Sequence, residues 1–314
     1  MSPDNPPKVS FSQLLVWDRC RFAWKLSYKD GWASKERKVA MEVGDLGHKM
    51  QFDWYTTGRD NSDDMANKLL ENWQALDADA LKGITLALTR FKLYQEWSKE
   101  HDRQFLTQTC EEHFEVPLTT PQGRPYLLEG YIDRSSIDRI GNLWIEDYKW
   151  TSRFWSPIEL MMDPQLVFYA AALRTLGRPV HGTMITQVST YPYATSTLKS
   201  KKLEDLIKRE KIYRSPQELD SVLWEIGLKV DDLIEKRENP GQPRSLRREC
   251  DRCQWQEPCL MGLKGIDPLD YIAASGAFKK KEGRPDSDAN RHDVMTTRLL
   301  EVNKLEIEIF DEPI

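Results

Sequence analysis

Long apolar runs are missing from this 314-residue chain. None approaches the roughly 20 residues that a helix needs to cross a bilayer, and no signal-peptide pattern opens the N-terminus. A membrane role is therefore not expected; a soluble, cytoplasmic protein is. Net positive charge is also missing: 45 Lys and Arg against 50 Asp and Glu leave −5, so any polyanion must be met by local basic patches. Cysteine is scarce, at five residues, and in a cytosolic chain these are expected as ligands or buried thiols rather than disulfides. A phosphate loop of the G-x-x-x-x-G-K-[ST] kind is absent, which argues against an ATP-driven motor, and no internal repeat occurs.

What is present suits an α/β protein of one large or two small domains. Hydrophobic residues make up 39%, with 11 Trp and 11 Tyr to fill a core; the mean hydropathy is −0.64. Residues 1–9 carry several prolines and are expected to be disordered. Ser10 is a candidate N-cap with Gln13 three residues on, opening a helix through Phe11, Leu14, Trp17, Cys20, Phe22 and Trp24. Helical spacing recurs over 44–55, 64–77 and 79–104. Strands are predicted at 110–118 and 180–191. Asp163-Pro164 and Ser215-Pro216 each read as a helix start. The basic stretch 198–214 reads either as a track for a phosphate backbone or as a solvated helix face. Residues 274–297 read as a linker, and the end, LEVNKLEIEIFDEPI, as an added strand or partner-binding tail.

The chain is organised around 127–150, LLEGYIDRSSIDRIGNLWIEDYKW. Apolar residues alternate through Leu128, Gly130 and Ile132, then Leu143 and Ile145, on either side of turn chemistry at 138–142. This predicts a β-hairpin. In a strand, residues two apart share a face. Asp147 and Lys149 then point one way, while Glu146 and Tyr148 point the other, so replacing Glu146 is expected to affect any chemistry there much less than replacing Asp147. Asp133 on the neighbouring strand completes a pair of carboxylates beside a lysine, a setting for a hard divalent cation and an anionic reactant.

A second constellation is Cys250-x2-Cys253-x5-Cys259. Three cysteines in so short a span point to a metal, and a four-ligand site needs one more. Cys20 is the expected fourth, because the ends of a domain commonly meet at its surface; Cys110 is expected as a buried thiol. Spacing alone leaves zinc and an iron–sulfur cluster both open.

Together these features resemble the RecB-like PD-(D/E)XK nucleases, in particular their iron–sulfur branch, which holds AddB-like nucleases and the CRISPR-associated RecB-like exonucleases. The residues that carry the resemblance are Ser10 leading to Cys20, Gly44-x3-His48, Gly130-x-Ile132-Asp133, Asp147-Tyr148-Lys149, Gln165-x3-Tyr169 and the distal cysteines. They run in the family's order from about 10 to 260. Trp150 departs from the pattern, standing where Thr commonly follows the lysine.

The resemblance implies a restriction-endonuclease-like core, a mixed sheet flanked by helices, with a nuclease domain over 10–262. A helical insertion falls at about 56–104, and a linker and acidic tail follow from 263 to 314. It implies Mg²⁺ or Mn²⁺ held by His48, Asp133, Asp147 and the main-chain carbonyl of Tyr148, with Lys149 acting on the attacking water. It implies Gln165 and Tyr169 beside DNA, and a four-iron four-sulfur clasp on Cys20, Cys250, Cys253 and Cys259. The expected activity is a DNA exonuclease on ends or single strands in recombination, repair or end processing, with a helicase or recombinase partner on the C-terminal tail. The alternatives are a structure-specific endonuclease or nickase, and a weakly active scaffold subunit. Glu111 and Glu112, just ahead of the hairpin, are expected to be solvated, with one of them able to reach the metal through water.

Overall fold

The computed structural model describes residues 6–35, 39–72 and 78–281. In chain order, β1 (Lys8–Ser10) leads into α1 (Phe11–Arg19), α2 (Arg21–Trp24), a π-helical turn (Lys25–Lys29) and β2 (Trp32–Ser34). Helices α3 (Val39–Thr57), α4 (Ser62–Asn72) and α5 (Ala78–His101) follow. Then come β3 (Phe105–Thr119), β4 (Pro125–Asp138), β5 (Leu143–Thr151), α6 (Pro157–Met161), α7 (Pro164–Thr175) and β6 (Val180–Ser189). The rest is α8 (Thr195–Ser200), β7 (Ile207–Tyr213), α9 (Pro216–Lys236), α10 (Gln256–Leu263), α11 (Pro268–Ser275) and β8 (Phe278–Lys280).

These elements form two compact units. One contains 6–35, Pro117–Glu129 and 223–281; the other contains 39–116 and Gly130–Val222. In the second unit β4 pairs with β3 and, antiparallel, with β5; β5 pairs parallel with β6, and β6 antiparallel with β7. The parallel pair needs a crossover, which α6 and α7 supply. Asp163 caps α7 by accepting a 2.9 Å hydrogen bond from the Gln165 N–H, Pro164 occupies the first turn, and Gly177 follows the helix at φ +73°. An aromatic core forms between α3, α5 and one face of the sheet, from Leu46, Met50, Phe91, Tyr94, Trp97 and Tyr148. Helix α7 packs on the other face of β5 and β6. This is the expected α/β architecture, a mixed sheet between helices.

The hairpin forms as predicted, with Arg134 opposite Glu146 and Ile137 opposite Leu143. Its turn is organised by the Asp138 carboxylate, which accepts from the Ile140 N–H, the Asn142 N–H and the Trp144 indole. Gly141 takes φ +85° there.

In the first unit, Ser10 caps α1 as expected, accepting from the Gln13 N–H at 3.2 Å. The helix does not run through to Trp24, however. Cys20 is extended (φ −164°, ψ 111°), so it ends α1 and starts α2. The Trp17 and Trp24 rings meet edge to face at 4.9 Å. Asp232 of α9 accepts from the Trp17 indole at 2.8 Å and pairs with Arg21 at 2.7 Å.

Three further expectations need correction. Residues 8 and 9, expected to be disordered, begin β1, which pairs parallel with β4, and Val9 is fully buried there. The basic stretch 198–214 is not one helix face: it starts in the last turn of α8 and ends in β7, an edge strand whose inward residue Arg209 is buried in ion pairs. Residues 274–281 are not linker: they finish α11 and form β8, which pairs antiparallel with β2, Trp32 opposite Lys280. The remainder of the expected linker and the C-terminal tail lie outside the described residues.

Candidate active site

The carboxylate pair sits where the strand periodicity requires. Asp133 Oδ2 accepts a 3.0 Å hydrogen bond from the Tyr148 N–H, which locks β4 against β5 at this level. From α3, His48 Nδ1 comes within 3.2 Å of the same oxygen. Lys149 Nζ lies 2.8 Å from Asp147 Oδ2 and donates a 3.0 Å hydrogen bond to Gln165 Oε1 of α7. Tyr169, one helical turn beyond, is buried and hydrogen-bonds Gln165. His48, Asp133, Asp147, Lys149 and Gln165 are thus brought together from both helical layers and the hairpin. Tyr169 stands behind Gln165 with its ring away from solvent.

Sequence reasoning understated one residue. Glu111, on β3, offers a carboxylate oxygen that lies within 4.8 Å of a ring nitrogen of His48 and a carboxylate oxygen of Asp133, which lie as close to each other. It is the one non-glycine residue with positive φ among the described residues, at +51°. A glutamate pays steric strain there, since only glycine takes that conformation freely. Its neighbour Glu112 is engaged elsewhere, by Arg178 and Thr109. The positive φ at Glu111 breaks the regular strand alternation, so parity of the Glu-Glu pair does not reveal which of the two faces the site.

Electrostatics fit a cation. Burial draws the His48 imidazole down, but the Asp133 carboxylate outweighs it and pushes the group up to about 9. Burial and then the nearby Asp133 push Asp147 up to about 7. Burial raises Asp133 too, yet His48 and the Tyr148 N–H bring it below the usual range. Burial and the neighbouring Asp133 thus favour the protonated form of Asp147, while Asp133 favours the charged form of His48. Asp147 Oδ2 is buried, with the Lys149 ammonium 2.8 Å away as its partner. Oxygen donors and one imidazole converging on a buried site suit a divalent cation.

Glycines frame the site. A Cβ on Gly130 would come 2.7 Å from the Phe114 ring and 2.8 Å from Tyr169, so the glycine before Asp133 is required by packing. Gly44 faces open space, whereas a Cβ on Gly47 would overlap the Trp150 ring. Trp150, the departure noted in the sequence, therefore lies against Gly47, and its indole donates to Gln51 Oε1 at 3.1 Å.

Glu146 takes the face opposite Asp147, as strand parity predicts. It is fully buried, pairing with Arg134 at 3.0 Å and Arg209 at 2.8 Å and accepting from Thr186. Asp102 joins this network through both arginines, and Tyr55 donates to it. The face opposite Asp147 is polar but dry.

The distal cysteines and Cys20 all fall in the first unit, each half-buried. Burial pushes the Cys259 thiol up, as do nearby Cys20 and Cys250, while Arg244 opposes the shift. Cys20 and Cys253 pack on one cluster around Trp255, Ile272 and Phe278. Trp255 fixes this segment: its indole donates to Ser27 Oγ of the π-helical turn at 3.0 Å, and its ring stacks on Phe278 at 5.3 Å. Backbone N–H groups of Arg247 and Trp255 approach the Cys250 and Cys253 sulfurs at 3.4 Å. Among the described residues no three cysteine sulfurs lie within 4.8 Å of one another. Cys110 is a buried thiol in the other unit, pushed up to about 12 by burial.

No helix of the described residues is long and apolar enough to cross a membrane. No curated protein matches the chain. Among solved structures, SSO0001 aligns at 13% identity over 79% of this chain and 84% of that one, with a TM-score of 0.38. A protein named as an exonuclease from Eubacterium rectale aligns at 14% identity over 81% of this chain and 91% of that one, with a TM-score of 0.49. The model of the PD-(D/E)XK nuclease superfamily matches residues 8–260, a span that takes in the hairpin, its carboxylates and the distal cysteines. The chain belongs to the PD-(D/E)XK nuclease superfamily.

Proposed function

We propose that this nuclease is a Mg²⁺- or Mn²⁺-dependent deoxyribonuclease of the RecB-like, iron–sulfur branch, acting as an exonuclease on DNA ends or single strands. The observation that carries the reading is the convergence of His48, Asp133, Asp147 and Lys149 on one site. His48, Asp133, Asp147 and the Tyr148 carbonyl would hold the cation, and Glu111 adds a further oxygen. Such a cation offsets charge on the scissile phosphate and acidifies a bound water. Lys149, steadied between Asp147 and Gln165, orients the attacking water and stabilises it as it loses its proton. Water oxygen then bonds to phosphorus, the bridging P–O bond breaks, and the leaving oxygen takes up a proton from solvent. Gln165 and Tyr169 act from behind, keeping the lysine aimed beside the DNA.

We further propose that Cys20, Cys250, Cys253 and Cys259 hold a four-iron four-sulfur cluster that clasps the N-terminal helices to the distal segment. Four cysteines with two backbone N–H groups at their sulfurs form a donor set suited to thiolate. Zinc on the same four thiolates is the alternative occupant, since both groups take four cysteine ligands. The context we assign is recombination, repair or end processing in the cytoplasm, with a helicase or recombinase bound through the C-terminal tail.

End-labelled linear and covalently closed circular DNA, each with Mg²⁺ or Mn²⁺, test the first proposal. Linear DNA should be shortened from its ends and circles spared, with activity falling at least a hundredfold in Lys149→Ala. Circles cut as fast as linear DNA would reject an exonuclease. Iron, zinc and labile-sulfide analysis of anaerobically purified protein tests the second. Cys20→Ser should lose the iron and the colour, and Cys110→Ser should keep both. Stoichiometric zinc without sulfide would replace the cluster by a zinc clasp.

A further inference from the structure

We propose that the loops leaving β5 and β6 form a stacking platform for single-stranded DNA, which leads the strand to the candidate active site; this rests on the nuclease reading of that site. The two strands are parallel, so Thr151 and Ser189 end at the same edge of the sheet, and the Thr190 N–H donates to the Thr151 carbonyl at 2.8 Å. In open α/β sheets that edge is where ligands gather. The first loop carries Phe154 and Trp155, and the second carries Tyr191 and Tyr193. Tyr191 is 50% exposed, while Tyr193 beside it is partly buried against the aromatic core and so anchors the loop. The Tyr191 ring centroid lies 4.7 Å from that of Tyr193.

Each ring group comes with a cation. Lys208 Nζ lies 4.8 Å from the centre of Phe154, and Lys201 Nζ lies 5.1 Å from the centre of Tyr193. Lys149, the lysine of the candidate active site, has its Nζ 5.7 Å from the Trp155 ring, so the platform starts at the chemistry. Both loops are also held from beneath by buried polar groups. The Gln187 side chain accepts from the Trp155 N–H at 2.7 Å. The Arg90 guanidinium, 1% exposed, donates to the Ser189 and Tyr191 carbonyls at 2.8 and 2.9 Å. Buried amide and guanidinium groups committed to loop backbone keep the rings in place before a ligand arrives.

Alternating rings and ammonium groups match alternating bases and phosphates. A duplex hides the faces of its bases, whereas a single strand offers them for stacking. The overall charge of −5 rules out a general attraction to polyanions, so the affinity must come from such a local strip.

The test is anisotropy titration of a fluorescein-labelled oligo(dT) with the full chain in EDTA, where binding is read without cleavage. Phe154→Ala, Trp155→Ala and Tyr191→Ala should each weaken binding about tenfold. Trp155→Phe and Tyr191→Phe should restore most of it, which a merely structural loss would not allow. An abasic strand of equal length should bind the unaltered protein about tenfold more weakly and be indifferent to the alanine variants. Abasic and base-bearing strands bound equally, alanine variants without effect, or aromatic replacements that fail to rescue would each overturn the platform. Oligo(U) displacing oligo(dT) at a lower concentration would overturn the assignment to DNA. Oligo(dT) binding that depends on the rings in a protein that cuts nothing with metal would remove the nuclease reading and leave the platform. Cleavage by a protein whose binding ignores the rings would do the reverse.

Discussion

Glu111 shows how a single residue can be held against its own preference. Its φ of +51° costs on the order of 1 kcal/mol for a side-chain-bearing residue, and its carboxylate gains a place beside His48 and Asp133. If the strain serves the site, Glu111→Gly should match or exceed the unaltered protein in thermal stability by up to about 1 kcal/mol. The same variant should need about tenfold more Mn²⁺ for half-maximal cleavage. Glu111→Gln should show the metal defect with no gain in stability. A Glu111→Gly protein that melts lower and binds metal normally would make the residue structural. Asp133, Asp147 and Lys149 were legible because strand parity is simple arithmetic. Glu111 was not, because a left-handed residue inside a strand breaks that parity and no glycine marks the place. Parity also placed Glu146 on the opposite face, but it could not show the ion pairs with Arg134 and Arg209 that bury it there.

At the scale of elements, helix α3 meets β5 through a glycine and an indole. Gly47 lies against Trp150, while Gly44, the glycine of the recognised motif, faces open space. Gly44→Ala should therefore be neutral or raise stability by about 0.5–1 kcal/mol, as alanine does in a helix. Gly47→Ala should cost about 1–3 kcal/mol by forcing the ring aside, and should slow cleavage because Trp150 follows Lys149. Thermal melts of the two proteins side by side decide it; equal melting temperatures would mean that the indole moves freely. Helices α1 and α7 were readable from Ser10, Asp163 and Pro164, since capping is local chemistry. Strand β7 was not, because Arg209 points inward to Glu146 and Asp102 where an apolar residue would have revealed the alternation. The break at Cys20 was equally hidden, with no glycine or proline to announce it.

For the whole molecule, acid should find the buried network first. Burial alone would raise Asp102, but Arg134, Arg209 and the Tyr55 hydroxyl bring it down to about 2. With an unfolded value near 3.9, its contribution is fully present above that pH and is lost as pH falls from about 4 towards 2, amounting to about 2–3 kcal/mol. Denaturant titrations at steps from pH 6 to pH 2 should show that loss in the unaltered protein. Asp102→Asn should start less stable at pH 6 and lose less over the same interval; a parallel pair of curves would exclude the carboxylate as the cause.

The hairpin carries two sets of charges on opposite faces: Asp133, Asp147 and Lys149 on one, Arg134 and Glu146 on the other. Shifting β5 by one residue would turn Asp147 and Lys149 into the aromatic core and leave the guanidinium groups of Arg134 and Arg209 without Glu146. Each wrong register is thus penalised twice, which makes the strand pair a parity check carried out during folding. Molecules that pass it have their metal-facing carboxylates already assembled. Partial activity in a stressed or variant preparation should then reflect the fraction of molecules folded, each one either fully competent or silent.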